Sequence, residues 1–197
     1  MKMMRWTGVS MIGLMFALGL ADIAPVRADA YADVREKLEV CFTCHGKNGA
    51  STRPEYPILA GQHLYYLYVQ LKDFKSGLRA DPVMSNIAKE LSKEEMLKIA
   101  QFFSEQSWPS LGYRADPALA ARGETATHAG ECVQCHLGSY EGDSRIPRVA
   151  NQHRAYLEKT MLDFKTGARA NSPAKSSLMK SYDDADIAAM AEFLAGF

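Results

Sequence analysis

Apolar residues along this chain recur at helical spacing. Between His63 and Ser76, Leu67, Leu71 and Phe74 fall at i, i+4 and i+7 on one face, and Gly77 ends the pattern. A second copy runs from His153 to Thr166 and stops at Gly167. Another helix starts after Ser92, where Glu95 completes a Ser-x-x-Glu capping box, and extends to about Glu105; its twin starts near Asp183 and runs to the C-terminus. Opening helices are expected from Tyr31 and from Pro117. No segment sustains an alternation of period two, so the predicted class is all-α.

The duplication is explicit. Shifted by 90 residues, positions 60–80 and 150–170 share eleven identities in 21, including Gln62-His63 with Gln152-His153 and Asp73-Phe74-Lys75 with Asp163-Phe164-Lys165. The last helices align at an offset of 91, Ala100 with Ala191 and Phe102 with Phe193. The stretch 106–115, with Trp108-Pro109 and Gly112, reads as a linker, giving expected units 31–111 and 112–197, each three helices.

Residues 1–30 read differently. Lys2 and Arg5 precede an apolar run from Trp6 to Ala21, and Ala28-Asp29-Ala30 is a small-x-small cleavage pattern. The expectation is a cleaved secretory signal peptide with Tyr31 as the first mature residue. The rival is a retained anchor, but the run is about 16 residues against the roughly 20 that span a bilayer. Of the 197 residues, 47% are apolar and 23% charged, which excludes a disordered or multi-span chain. The 23 basic and 23 acidic residues fall to 20 and 21 without the first thirty, so no basic surplus points to nucleic acid.

The chemistry lies in four cysteines. They form Cys41-Phe42-Thr43-Cys44-His45 and Cys132-Val133-Gln134-Cys135-His136, again 91 residues apart. Cys-x-x-Cys-His is the attachment signal of c-type haem: two thiols add to the vinyl groups and the histidine is placed to ligate iron. A disulfide would leave the repeated histidine unexplained. A zinc site would need pairs much closer in sequence, and an iron-sulfur cluster would need four thiolates from two units. Export also delivers the chain to where haem is attached.

Each iron then needs a sixth ligand. Met84, in Asp81-Pro82-Val83-Met84-Ser85, and Met179, in Ser177-Leu178-Met179-Lys180-Ser181, lie between the middle and last helices, on segments expected to be too broken by Pro82 and Pro173 to be helical. Both are the expected thioether ligands, whereas Met96, Met161 and Met190 fall within helical patterns and read as core. His63 and His153 match across the repeats and are the alternative ligands. Their place at the start of the middle helix favours a local polar role, near a haem propionate, and His128 reads as exposed. Lys47, Lys75 and Lys89 are candidates for the rim of a docking face, with solvated charge as the plainer reading.

These motifs, the Gln-His openings, the Asp-Phe-Lys-x-Gly-x-Arg-Ala elements and the two methionines together resemble the dihaem cytochrome c4 family, two class I cytochrome c folds in tandem, over essentially all of the mature chain. The resemblance implies two covalent haem c groups, held by Cys41 and Cys44 and by Cys132 and Cys135, with iron bound by His45 and Met84 and by His136 and Met179. It also implies that the Pro57 and Pro147 carbonyls accept the histidine ring N–H groups, and that Ala32 and Gly123 are where first and last helices cross. The longer stretch before Met179 departs from the first copy. The implied role is a periplasmic electron carrier between a respiratory donor and an oxidase or reductase, with no catalytic residues of its own. The alternative is the electron-accepting subunit of a sulfide or thiosulfate dehydrogenase complex. Redox proteins are the implied partners, and peripheral membrane association is compatible with either role.

Overall fold

The computed structural model describes residues 30–197, so the apolar N-terminal segment and all but the last residue of its expected cleavage pattern lie outside the described residues. The first half contains α1 (Arg35–His45), α2 (Leu64–Ser76), α3 (Met84–Lys89) and α4 (Lys93–Ser104). The second contains α5 (Pro117–Ala129), α6 (Val133–His136), α7 (Arg154–Thr166), α8 (Pro173–Met179) and α9 (Asp184–Ala195). Among the described residues the only β pairing is an isolated bridge between Asp143 and Ile146.

Local chemistry sets the ends of these helices. Ser92 Oγ accepts from Glu95 N while the Glu95 carboxylate accepts from Ser92 N, the reciprocal pair expected of the capping box. Asp183 does the same one-sidedly for α9. Gly77 and Gly167, at φ 81° and 82°, close α2 and α7 in the left-handed conformation that glycine adopts without strain.

Each half holds more than three helices. The segments of Met84 and Met179 are helical, against the expectation that Pro82 and Pro173 would prevent it. Proline disrupts a helix interior but suits the first turn, where its missing N–H has no partner to lose. Pro173 opens α8, and the Asp81 carboxylate caps the start of α3 by accepting from Val83 N and Met84 N. In the second half the opening helix is split, because Glu131 takes φ 50° between α5 and α6.

The two cores solve one packing problem with different residues. In the first, a Cβ on Gly49 would lie 2.6 Å from the Phe103 ring; at the matching positions the second half has Tyr140 and the smaller Leu194. Tyr140 is buried against Phe193 and Phe197 in edge-to-face contacts at 5.6 and 5.0 Å. Gly123 lies where α5 crosses α9, as the family resemblance implies: a Cβ there would sit 2.0 Å from the Ala189 carbonyl oxygen. Ala32 has no such role. It is exposed on a single 3-10 turn, Ala32–Val34, because α1 starts only at Arg35; Val34 and the Tyr31–Phe102 ring contact make the junction with α4 instead.

A local two-fold relation joins the halves. Gln152 accepts from Ile58 N and donates to Ile58 O, while Gln62 accepts from Arg148 N and donates to Arg148 O. His63 Nε2 donates to Glu141 O at 2.8 Å and His153 Nε2 to Ser51 O at 3.0 Å. The repeated Gln-His pair is therefore a fastening between repeats. Replacing Gln62 or Gln152 by Ala would strand two backbone groups at this junction, one pair of them buried at Ile58. Each change is expected to cost about 1–3 kcal/mol in denaturant unfolding, and losses within error would show that the junction carries no stability.

Candidate cofactor site

One continuous cavity of about 490 Å³ runs through both halves, walled mainly by apolar side chains and by both Cys-x-x-Cys-His motifs. In the first half a single helix carries the motif, which puts Cys41 and Cys44 at i and i+3 with His45 ending the helix. Gly46, at φ 74°, turns the chain away, and Leu137 takes φ 64° at the matching place after His136.

Both histidines are oriented from behind. His45 Nδ1 lies 2.9 Å from Pro57 O and His136 Nδ1 2.9 Å from Pro147 O, the two contacts that the resemblance implies. A carbonyl can only accept, so each Nδ1 carries the proton and each Nε2 keeps its lone pair. Burial holds the His45 imidazole below its ordinary pKa, and burial followed by the positive charge of Lys175 pulls His136 down to about 4. Both rings are neutral at physiological pH, the state a metal ligand requires.

No disulfide joins any of the four cysteines. Burial pushes the Cys41 thiol up to about 11 and raises Cys132 as well, so neither is primed as a thiolate nucleophile or zinc ligand. Among the described residues no group of three or more His, Cys, Asp or Glu side chains could hold a metal ion. Met84 lines the cavity from the start of α3, and Lys175, Leu178 and Met179 line it from α8.

Where the halves meet, the cavity is flanked by matched arginines. Arg79 lies over the Phe74 ring and Arg169 over Phe164, each 4.5 Å from the centroid. Arg79 donates to the Tyr156 hydroxyl at 3.1 Å, and Arg169 to Gln70 at 2.8 Å and to the Tyr66 hydroxyl at 3.4 Å. Burial alone would raise the Tyr156 phenol, but the two guanidinium charges outweigh it and bring it to about 7. Arg169 is only 4% exposed, yet among the described residues neither arginine is ion-paired with a protein carboxylate. A buried cation beside an apolar slot with no acidic partner suits a flat apolar cofactor that carries its own carboxylates, as haem does. Sequence patterns did not expose this arginine pair as a charge site, although both stand in the repeated Gly-x-Arg-Ala. Glu192 was also missed: it is 5% exposed, accepts from Tyr113 OH and Asp116 N at the end of the linker, and pairs with Arg154 at the start of α7. Lys75 serves structure, donating to the carbonyls of Lys89 and Leu91 after α3.

Two helical units, each with a haem-attachment motif ahead of its middle helix and a proline carbonyl behind its histidine, define a c-type cytochrome built of class I folds in tandem. The cytochrome c family profile matches residues 120–196. Cytochrome c4 of Pseudomonas aeruginosa is 34% identical over 94% of this chain and 97% of its own length. A thiosulfate dehydrogenase electron acceptor of Stutzerimonas stutzeri is 32% identical over 79% of this chain and 77% of its own. The crystal structure of reduced cytochrome c4 from Pseudomonas stutzeri superposes with a TM-score of 0.76 at 32% identity, covering 86% of this chain and 97% of that one. The chain belongs to the cytochrome c4 family. It is an electron-transfer protein, not an enzyme, and carries two covalently attached haem c groups.

Proposed function

We propose that this chain is an exported, periplasmic carrier that passes electrons from a respiratory donor to a terminal oxidase or reductase. The mature chain begins at Tyr31, with one haem domain over 31–111 and the other over 112–197. Cys41 and Cys44 would tether the first haem, and His45 and Met84 would hold its iron. Cys132 and Cys135 would tether the second, and His136 would hold its iron. Haem supplies a one-electron couple whose potential depends on its axial ligands and burial. The protein holds ligand geometry constant in both oxidation states. Pro57 and Pro147 fix the imidazole rings, and the mainly apolar walls give the site few polar groups to reorient, so little has to move when an electron arrives.

The observation that carries this reading is the pair of proline-anchored histidines on one cavity shared by both halves, a route for electrons within one chain. Purified alone, the protein is expected to be soluble, to contain two covalent haems by haem-stained denaturing gel and pyridine haemochrome, and to be reduced by ascorbate. It should be inactive towards sulfide, thiosulfate and peroxide. One haem, or none, would refute the site. The similarity to a thiosulfate dehydrogenase electron acceptor supports a second reading, in which the donor is such an enzyme. Recovery of the chain only as a stoichiometric complex with a dehydrogenase would favour that reading over a free carrier.

A further inference from the structure

The two halves can be aligned through the turn that leads into the last helix. Leu91 N donates to Ala88 O at 3.2 Å and Glu90 N to Ile87 O at 3.3 Å, just ahead of the cap at Ser92. Ninety-one residues on, Tyr182 N donates to Met179 O at 3.3 Å and Ser181 N to Leu178 O at 3.1 Å, just ahead of the cap at Asp183. This is the same offset that relates the two cysteine motifs. It sets Met179 opposite Ala88, and both are buried, at 7% and 0% exposure. Opposite Met84 it sets Lys175.

With that alignment the longer stretch in the second half shrinks to one inserted residue between Arg169 and Lys175. Lys175 is half-buried and lines the cavity, with its ammonium 5.6 Å from the Phe164 ring centroid. Among the described residues it makes no ion pair or hydrogen bond, although a long cationic side chain ordinarily reaches out to water. His136 lines the same cavity as Lys175. Met179, one turn further along α8, forms the wall beneath it.

We propose that the amine of Lys175, opposite His136, is the sixth ligand of the second haem iron, while Met84 fills that place on the first. The inference rests on the two-haem reading above. The amine binds as the neutral base and gives its proton to solvent. A primary amine is a harder donor than a thioether and favours ferric iron, so the second haem has the lower midpoint potential and the first fills with electrons first. The two halves are then electrically unequal although their folds match.

A thioether on ferric iron gives a weak far-red absorption band, and its intensity counts the methionine ligands. In the intact dihaem protein one such band is expected. Met84→Leu should abolish it, Met179→Leu should leave it at full strength, and Lys175→Met should double it while raising the lower midpoint potential. Loss of half the band in Met179→Leu would overturn the proposal in favour of Met179. So would a Lys175→Met protein whose lower potential has not moved. If Lys175→Met fails to mature, Met179→Leu decides alone. A haemochrome count of two in each sample separates this outcome from failure of the two-haem reading, which a count of one in the wild type would signal.

Discussion

A Cys41→Ser/Cys44→Ser double variant should retain one covalent haem in place of two, and Cys132→Ser/Cys135→Ser should retain the other. The thiols sit on an apolar cavity of about 490 Å³ that both halves share, and they have no disulfide partners that the changes would disturb. The larger consequence is for folding. Each half has a small core; in the first it comprises residues such as Leu38, Leu67, Ile99 and Phe103 around the cavity. Half of the cavity left without its occupant, at about 24 cal/mol per Å³, costs on the order of 6 kcal/mol, which approaches the whole stability of an ordinary domain. The affected repeat is therefore expected to unfold while its neighbour keeps its haem. Haem-stained gels report the count, and far-ultraviolet circular dichroism should show roughly half of the helix signal lost. Two covalent haems in either variant would show that the tethers are elsewhere.

Local signals carried much of the fold. The capping box at Ser92 and Glu95, the glycines after α2 and α7, and the periodic Leu67 and Phe74 act within a few residues of themselves, so their physics is visible in a short window. Pro82 and Pro173 misled because proline has opposite effects in a helix interior and in its first turn, and only the position of the turn distinguishes them. Gln62, His63, Gln152 and His153 were visible as a duplicated signal, but their partners are backbone groups of the other repeat, 78 to 102 residues away. Identity between copies looked like a shared local role because a two-fold junction uses the same residue twice. The place of Lys175 beside Met179 on the cavity wall was hidden for a related reason, since the register of α8 against α3 exists only once both helices have formed.

Gly123→Ala should be among the most destabilising single substitutions that leave the haem motifs untouched. The added methyl would meet the Ala189 carbonyl oxygen at 2.0 Å and Phe193 Cβ at 2.8 Å. The first of these is backbone of α9, so no rotamer change relieves the clash and the two helices must separate. α9 also carries Ile187, Met190 and Leu194, all buried, and Glu192, which holds the linker. Displacing it disturbs several contacts together. A cost of about 3 kcal/mol is expected, the upper end of ordinary over-packing, and for a chain of this size that lowers Tm by roughly 6–12 °C. The matched control is Ala32→Val, at the equivalent place in the first half. Ala32 is exposed on a short turn, so this change should stay within about 0.5 kcal/mol although it adds more volume. Calorimetry of both holoproteins checks the contrast. Equal losses would mean that the first half has a helix crossing at Ala32 after all, and no loss at Gly123 would mean that α5 and α9 are further apart than this packing requires.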